Sequence, residues 1–503
     1  MKFEMKIYHN HIIKIAIATA VIFSASSCRK NFFPSDRVED SGLLNTIEGM
    51  RTATLGNYAT LKGLNYENNY HWLAELPSDE VAQGQNSSSD VTNLYKYTHL
   101  VNSANATAYF QQAYYIAAAA NKIIRLIPDN ASADQLQVKG ENLFLRAMLH
   151  FNLVRMFGRP YAQTPTTNPG VPILSENLTE SEAATVKRST VAQVYDFVLA
   201  DLLKAAQFMT VEKSNSFATK MAAYALLSRV YLYMDNNAKA IEYADLVINS
   251  NKYQLLQNTQ YQNYFRVDPE TNRESIFAIK HTKTENYDYS AVGSLYYSGD
   301  ANGNALGQGE SGWGEIYASA KYYNFLNKFP QDKRKSFISP YVVGGTQQLN
   351  GKLTPPAPIY YVNKNNLQEG VINLTSPVYL RLAEQYLNRA EANAKLNKAQ
   401  LALDDVNVIR TRAGIPVYTL IDVTPTHTIL DIVLEERWLE LAFEGHRAYD
   451  LFRNNRPVVR DYPGTHSTIN GSVNQTINPT DARVIYFIPQ TERDKNPNLS
   501  QNP

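Results

Sequence analysis

The residues best able to do chemistry in this 503-residue chain crowd towards its C-terminal end. Glu435, Glu436, Arg437, Glu440, Glu444, His446, Arg447, Asp450 and Arg453 form the densest run of charge. On a helix Glu436 and Glu440 share a face at i, i+4, with carboxyl groups about 6 Å apart at best. That arrangement would suit a glycosidase acid pair. The interleaved Arg437, Arg447 and Arg453 argue against it. A guanidinium beside a carboxylate lowers its pKa, whereas a general acid needs it raised. Glu436, Arg437, Glu440, Glu444, Arg447 and Asp450 are therefore read as a structural salt-bridge cluster that locks helices together. Seven of the nine histidines (71, 99, 150, 281, 427, 446 and 466) are scattered without H-E-x-x-H spacing, so no metal site is expected. Neither a G-x-S-x-G elbow nor a phosphate-binding glycine loop is found, and no cofactor is expected.

Aromatic residues offer a different chemistry. The chain holds 34 tyrosines. Sugar rings stack their C–H faces on aromatic rings, while amides and carboxylates bond to hydroxyls. Two stretches rich in Asn, Gly, Ser and Tyr bring such residues together. The first, residues 65–98, holds Tyr66, Asn68, Tyr70, His71 and Trp72; the second, residues 284–370, holds Tyr287, Tyr289, Tyr296, Tyr297, Trp313 and Tyr317. Trp313 is the leading ligand-binding candidate, because Gly312 and Gly314 on either side leave its face accessible. Tyr317, Tyr296, Tyr297, Tyr70, Tyr66 and Asn68 complete the expected ligand-binding set. Trp72 and Trp438 are expected in the core. Glu310 and Glu315, flanking Trp313, are the one carboxylate pair that a surface glycosidase or peptidase could use.

Charge is nearly balanced, with 48 basic and 47 acidic residues, which gives nucleic acid nothing to bind. The single cysteine, Cys28, excludes an internal disulfide. Lys2, Lys6 and Lys14 precede or enter a short apolar stretch, residues 15–23, and small residues 24–27 lead to Cys28. This pattern reads as a secretory leader, too short for a permanent span. Cys28 follows the small residues in the manner of a bacterial lipobox, although Ala25 stands where Leu is usual. Its acylation would make a lipid-anchored protein. The expected organisation is a leader over 1–27, a tether over 28–42, an N-terminal helical region over 43–280 and a C-terminal region over 281–503. The last carries the loop-rich insertion 284–370 and helices over 377–453.

The elements that must hold these residues are mostly helices. Apolar spacing and capping residues predict helices over 43–61, 104–127, 132–157, 190–209, 217–234, 238–249, 377–394, 398–412 and 428–443. Residues 65–98 are expected to be loop. Strands are expected over 275–281 and 484–488. Alanines recur at packing positions, so consecutive helices can stack closely as irregular tetratricopeptide-like pairs, though no strict repeat is visible.

The C-terminal third carries a family resemblance. Residues 379–391 (YLRLAEQYLNRAE), 403–414 (LDDVNVIRTRAG) and 432–453 (IVLEERWLELAFEGHRAYDLFR) resemble signatures of SusD-like/RagB proteins. So does the closing Ile488-Pro489 with Asn496-Pro-Asn-Leu499 and Gln501-Asn-Pro503. Residues 75–80 (ELPSDE), 143–147 (LFLRA), 154–158 (VRMFG) and Asp332-Lys-Arg334 fit the same family, in order, over nearly the whole chain. The resemblance implies a mainly α, superhelical body of irregular tetratricopeptide-like pairs, with a loop-rich second region carrying a few short strands. It implies a non-catalytic lipoprotein on the outer membrane that binds an oligosaccharide or polysaccharide and serves a SusC-like TonB-dependent transporter. RagB-like peptide uptake is the alternative that it leaves open.

Overall fold

Helix starts are written locally. In the computed structural model Ser132, Thr190 and Thr428 each accept a hydrogen bond from the third backbone N–H of the helix that follows. Gln135, Gln193 and Asp431 return the bond to the capping residue, which satisfies N–H groups that would otherwise lack partners. The structure describes residue 42, residues 44–468 and residues 473–503. The leader, Cys28 and all of the tether but Gly42 lie outside the described residues. Residues 50–503 form a unit separate from residues 1–49.

The fold is mainly α. Its longer helices are α1 (Ile47–Leu61), α2 (Glu67–Glu75), α3 (Ser89–Lys96), α4 (Ala104–Leu126), α5 (Ala133–Phe157), α6 (Val191–Phe208), α7 (Lys220–Tyr233) and α8 (Asn237–Ile248). After a long excursion come α9 (Leu382–Lys395), α10 (Ala399–Ala413), α11 (Ile429–Leu441) and α12 (Arg447–Arg453). Helices α4 to α8 pack each on the next, and α8 packs directly on α9, which in turn meets α10 and α11. Ala222, Ala223, Ala390 and Ala402 are fully buried between these helices, and such small side chains let axes approach. Each fully buried Leu, Ile, Val or Phe in the stack contributes about 1.5–3 kcal/mol.

The segment between α8 and α9 is thus looped out from two neighbouring helices. Its ends are tied by β2 (Ser275–Ala278) paired antiparallel with β6 (Val378–Arg381). Within it lie β3 (Ile316–Ala318), β4 (Ile338–Pro340) and β5 (Tyr360–Val362). With β1 (Val81–Gln83) from the N-terminal half they form an antiparallel sheet in the order β1-β3-β5-β4. Val81 opposes Ala318, and Tyr361 opposes Tyr317.

Three sequence expectations differ from the structure. Residues 65–98 are not open loop but hold α2, β1 and α3. Residues 378–381 form a strand, so Tyr379 is not on the helix that begins at Leu382. The 3.6-residue spacing from Tyr379 to Ala394 runs through the strand-to-helix junction by coincidence, and cross-strand bonds to β2 claim the first four residues. Residues 484–488 make no strand: Val484 closes a short 3-10 turn, and Tyr486 N–H goes singly to the Met156 carbonyl. The tail instead pairs β7 (Val458–Asp461) with β8 (Asn474–Ile477).

Buried ion pairs fasten the excursion to the stack. Arg381 bonds Glu440 at 2.6 Å and Glu444 at 2.7 Å. Arg412 bonds Glu274 at 2.8 Å and Glu440 at 2.5 Å, and Arg334 bonds Glu436 at 2.6 Å. Arg437 and Arg453 both hold Asp450, at 2.9 and 2.7 Å, and Arg447 holds Asp79 at 2.7 Å. Burial alone would raise the Glu440 pKa. Arg412, Arg381 and Arg334 override it and hold the carboxyl far below the usual range. That is the wrong direction for acid catalysis.

Candidate functional surface

Trp313 is 41% exposed. Its outward pose follows from its neighbours. A β-carbon on Gly312 would collide with the Tyr297 carbonyl oxygen, so only glycine lets the chain pass there. Gly314 has φ +52°, and a β-carbon there would meet the Tyr361 ring at 2.6 Å. Trp313 N–H donates to Ser294 Oγ at 2.8 Å, and Gly314 N–H to the Ser294 carbonyl at 2.9 Å. The backbone is pinned inward on both sides and the indole points out.

Tyr289 stands beside it, ring centroids 5.0 Å apart and planes at 58°. Its hydroxyl donates to the Gly309 carbonyl at 3.2 Å, closing the turn that carries Trp313. Asn68, buried on α2, donates to the Ser290 carbonyl at 2.7 Å and so ties the Tyr289 segment to the helical body. Tyr287, 45% exposed, packs edge-on to His281 with centroids 6.0 Å apart. The amide of Gln308 accepts from Gln85 N–H at 2.6 Å, and Lys352 Nζ donates to the Gln85 carbonyl at 2.9 Å. These contacts bring the first and second Asn/Gly-rich stretches to one surface.

The other sequence candidates point inward. Tyr317 is 2% exposed on the central strand β3, with its hydroxyl accepting from Asn350 at 3.0 Å. Tyr296 and Tyr297 are fully buried; Tyr296 hydroxyl meets His71 Nδ1 at 2.8 Å, and Tyr297 packs edge-on to Tyr361. Tyr66 is buried and stacked on Tyr109. Tyr66 and half-buried Tyr70 line a cavity of about 30 Å³ with His71 and Phe443, room for water but not for a sugar ring. Tyr70 and Tyr296 sit in helices and Tyr317 in a central strand, while Tyr66 and Tyr297 each cap a helix end, and packing against other segments covers them. Tyr289 is different. Its flanks, Asp288 and Ser290, are exposed polar residues, and that local pattern was the signal that would have ranked it above Tyr296.

Glu310 is exposed on the turn before Trp313, whereas Glu315 is 4% exposed. Glu315 accepts from Trp72 Nε1 at 3.2 Å. Burial pushes its carboxyl up to about 7, partly offset by that bond. The two carboxyls therefore occupy unlike environments. Trp438 is buried and stacked on Phe325. Among the described residues, no group of three or more His, Cys, Asp or Glu could hold a metal ion, and no helix is long and apolar enough to cross a membrane.

Fold and surface together define a mainly α stack of helices, opened between two adjacent members to hold out a loop region with an exposed tryptophan and a half-buried tyrosine beside it. The SusD family model matches residues 340–503, and a model described as starch-binding associating with outer membrane matches residues 39–232. A SusD-like protein of Formosa agariphila is 24% identical over 93% of both chains. The crystal structure of a SusD superfamily protein from Bacteroides thetaiotaomicron superposes with a TM-score of 0.78 at 28% identity, over 91% of this chain and 100% of that one. A SusD-like carbohydrate binding protein from Bacteroides vulgatus shares the fold, with a TM-score of 0.72 at 20% identity over 90% and 97%. This chain belongs to the SusD family.

Proposed function

We propose that the protein is a non-catalytic, glycan-binding lipoprotein of the outer-membrane surface, anchored through Cys28, that passes its ligand to a SusC-like TonB-dependent transporter. The observation that carries this reading is exposed Trp313 with half-buried Tyr289 beside it, held by the two pinned glycines and by Asn68. Family membership and the outer-membrane description of the N-terminal match support the location and the kind of ligand. Two rings contribute about 0.5–1.5 kcal/mol each beyond area burial. With hydrogen bonds, and against the free-energy cost of association, this corresponds to micromolar-to-millimolar affinity. Such weak binding suits cargo that must be released onward.

The test is calorimetry with the soluble form beginning after Cys28 against a polysaccharide and peptide panel. Binding of a polysaccharide that disappears in Trp313→Ala, with an unchanged melting curve, supports the reading. Binding of peptides alone moves the protein to RagB-like peptide uptake. The same incubations are followed for new reducing ends, because the Glu315 carboxyl has the raised pKa that a general acid needs. Turnover lost in Glu315→Gln would replace a binding protein with a hydrolase.

A further inference from the structure

From Thr284 to Ala320 the chain contains no lysine or arginine, yet it contains Glu285, Asp288, Asp300, Glu310 and Glu315. This is the segment that carries Trp313, Tyr289 and Tyr287. Two of these charges lie close to the rings. Asp288 is exposed and directly precedes Tyr289, and Glu310 is exposed on the turn closed by the Tyr289 hydroxyl, three residues before Trp313. Cations from other segments are engaged or lie away from the rings. Lys62 is paired to Glu285 at 2.8 Å and Lys283 to Glu369 at 3.5 Å. Lys352 donates to the Gln85 carbonyl and to Asn86 Oδ1, both at 2.9 Å. The Arg266 guanidinium lies beside Gly303, in the turn closed by the Gly299–Ala305 bridge. The polar groups left to meet a ligand are amides and carboxylates.

We infer that the aromatic surface selects uncharged glycans and rejects acidic ones, whether their charge is uronate or sulfate. This inference rests on the glycan-binding reading above and adds to it the charge class of the ligand. Recognising a carboxylate or sulfate calls for arginine or lysine donors, ideally the bidentate arginine fork. Around Trp313 an acidic sugar meets Asp288 and Glu310 instead. Carboxylates do accept hydroxyl hydrogen bonds, so the same groups favour neutral sugars. The repulsion repeats along a polyanion, and it acts within a Debye length of about 8 Å at physiological ionic strength.

The experiment is affinity electrophoresis and calorimetry of the full mature chain against neutral polymers (starch, xyloglucan, galactomannan) and acidic polymers (polygalacturonate, alginate, carrageenan). The expected result is a neutral polymer bound through Trp313, with every acidic polymer at least about tenfold weaker. The double variant Asp288→Asn, Glu310→Lys should narrow that gap, since it removes the two exposed negative charges nearest the rings in sequence. Tight binding of polygalacturonate, alginate or carrageenan that is lost in Trp313→Ala overturns this inference and leaves the glycan reading standing. An unchanged gap in the double variant also overturns it. Failure of all six polymers to bind overturns the glycan reading, and this inference with it.

Discussion

Replacing Glu75 with Gln should make the protein more stable at alkaline pH. Glu75, at the end of α2, and Glu80, just before β1, are both buried, at 1% and 0% exposure. Glu75 Oε1 accepts Gly445 N–H at 2.5 Å, and Glu80 Oε1 accepts Phe443 N–H at 3.1 Å. The remaining oxygen of each finds no donor, and the two carboxyls face each other at hydrogen-bonding range. Two carboxylates in that position need a proton between them. Burial accordingly pushes Glu75 from the usual 4.5 up to about 7, and burial followed by the Glu75 charge raises Glu80 well above its ordinary value. The sign follows directly. Between pH 4.5 and about 7 the folded chain holds a proton that the unfolded chain has released, so stability falls as pH rises through that window. A rise of that size corresponds to about 3 kcal/mol lost by pH 8. Gln cannot ionise, its carbonyl can still accept Gly445 N–H, and its amide can donate to Glu80. Urea unfolding of both proteins at pH 5 and pH 8 reads the difference. A variant less stable than the parent at pH 8, or with an undiminished decline from pH 5 to pH 8, would refute the shared proton.

Other substitutions separate frame from surface. Glu440→Gln leaves Arg381 and Arg412 short of a buried counter-charge and should destabilise by about 3–5 kcal/mol in denaturant unfolding. Tyr296→Phe strips His71 of its hydroxyl partner and should destabilise by about 1–3 kcal/mol, with glycan affinity unchanged by calorimetry. Loss of affinity there, at retained stability, would return Tyr296 to the ligand surface.

Helices with capping boxes were legible in the sequence because cap and periodicity agree within one turn of chain, as at Ser132 and Thr190. What was not legible depends on distant partners. Residues 378–381 are a strand only because β2, about a hundred residues earlier, pairs with them. Residues 67–75 fold as a helix although Glu67, Asn68, Asn69 and His71 are polar, because their burial is arranged by contacts from other segments, such as His281 on Glu67 and Tyr296 on His71. For the same reason the tyrosine-rich stretches could be named as candidates, but their rings could not be sorted into inward and outward.

The looped-out excursion gives this division a mechanical meaning. Helices α8 and α9 pack as neighbours whatever lies between them, and Arg381, Arg412, Arg334, Glu274, Glu436 and Glu440 seal the seam with buried charge. Each of those charges is costly to orphan, so the seam tolerates little change. Trp313 stands outside it, on a turn whose inward anchors are Ser294 and two glycines, with Tyr289 of a separate turn beside it. The two family models stop at residue 232 and resume at residue 340, leaving this turn between them. An exposed ring on such a turn can be replaced for a few tenths of a kcal/mol in stability. The fold therefore lets ligand choice vary while the frame stays fixed, and the charge class of the ligand is written in the excursion and not in the helices that support it.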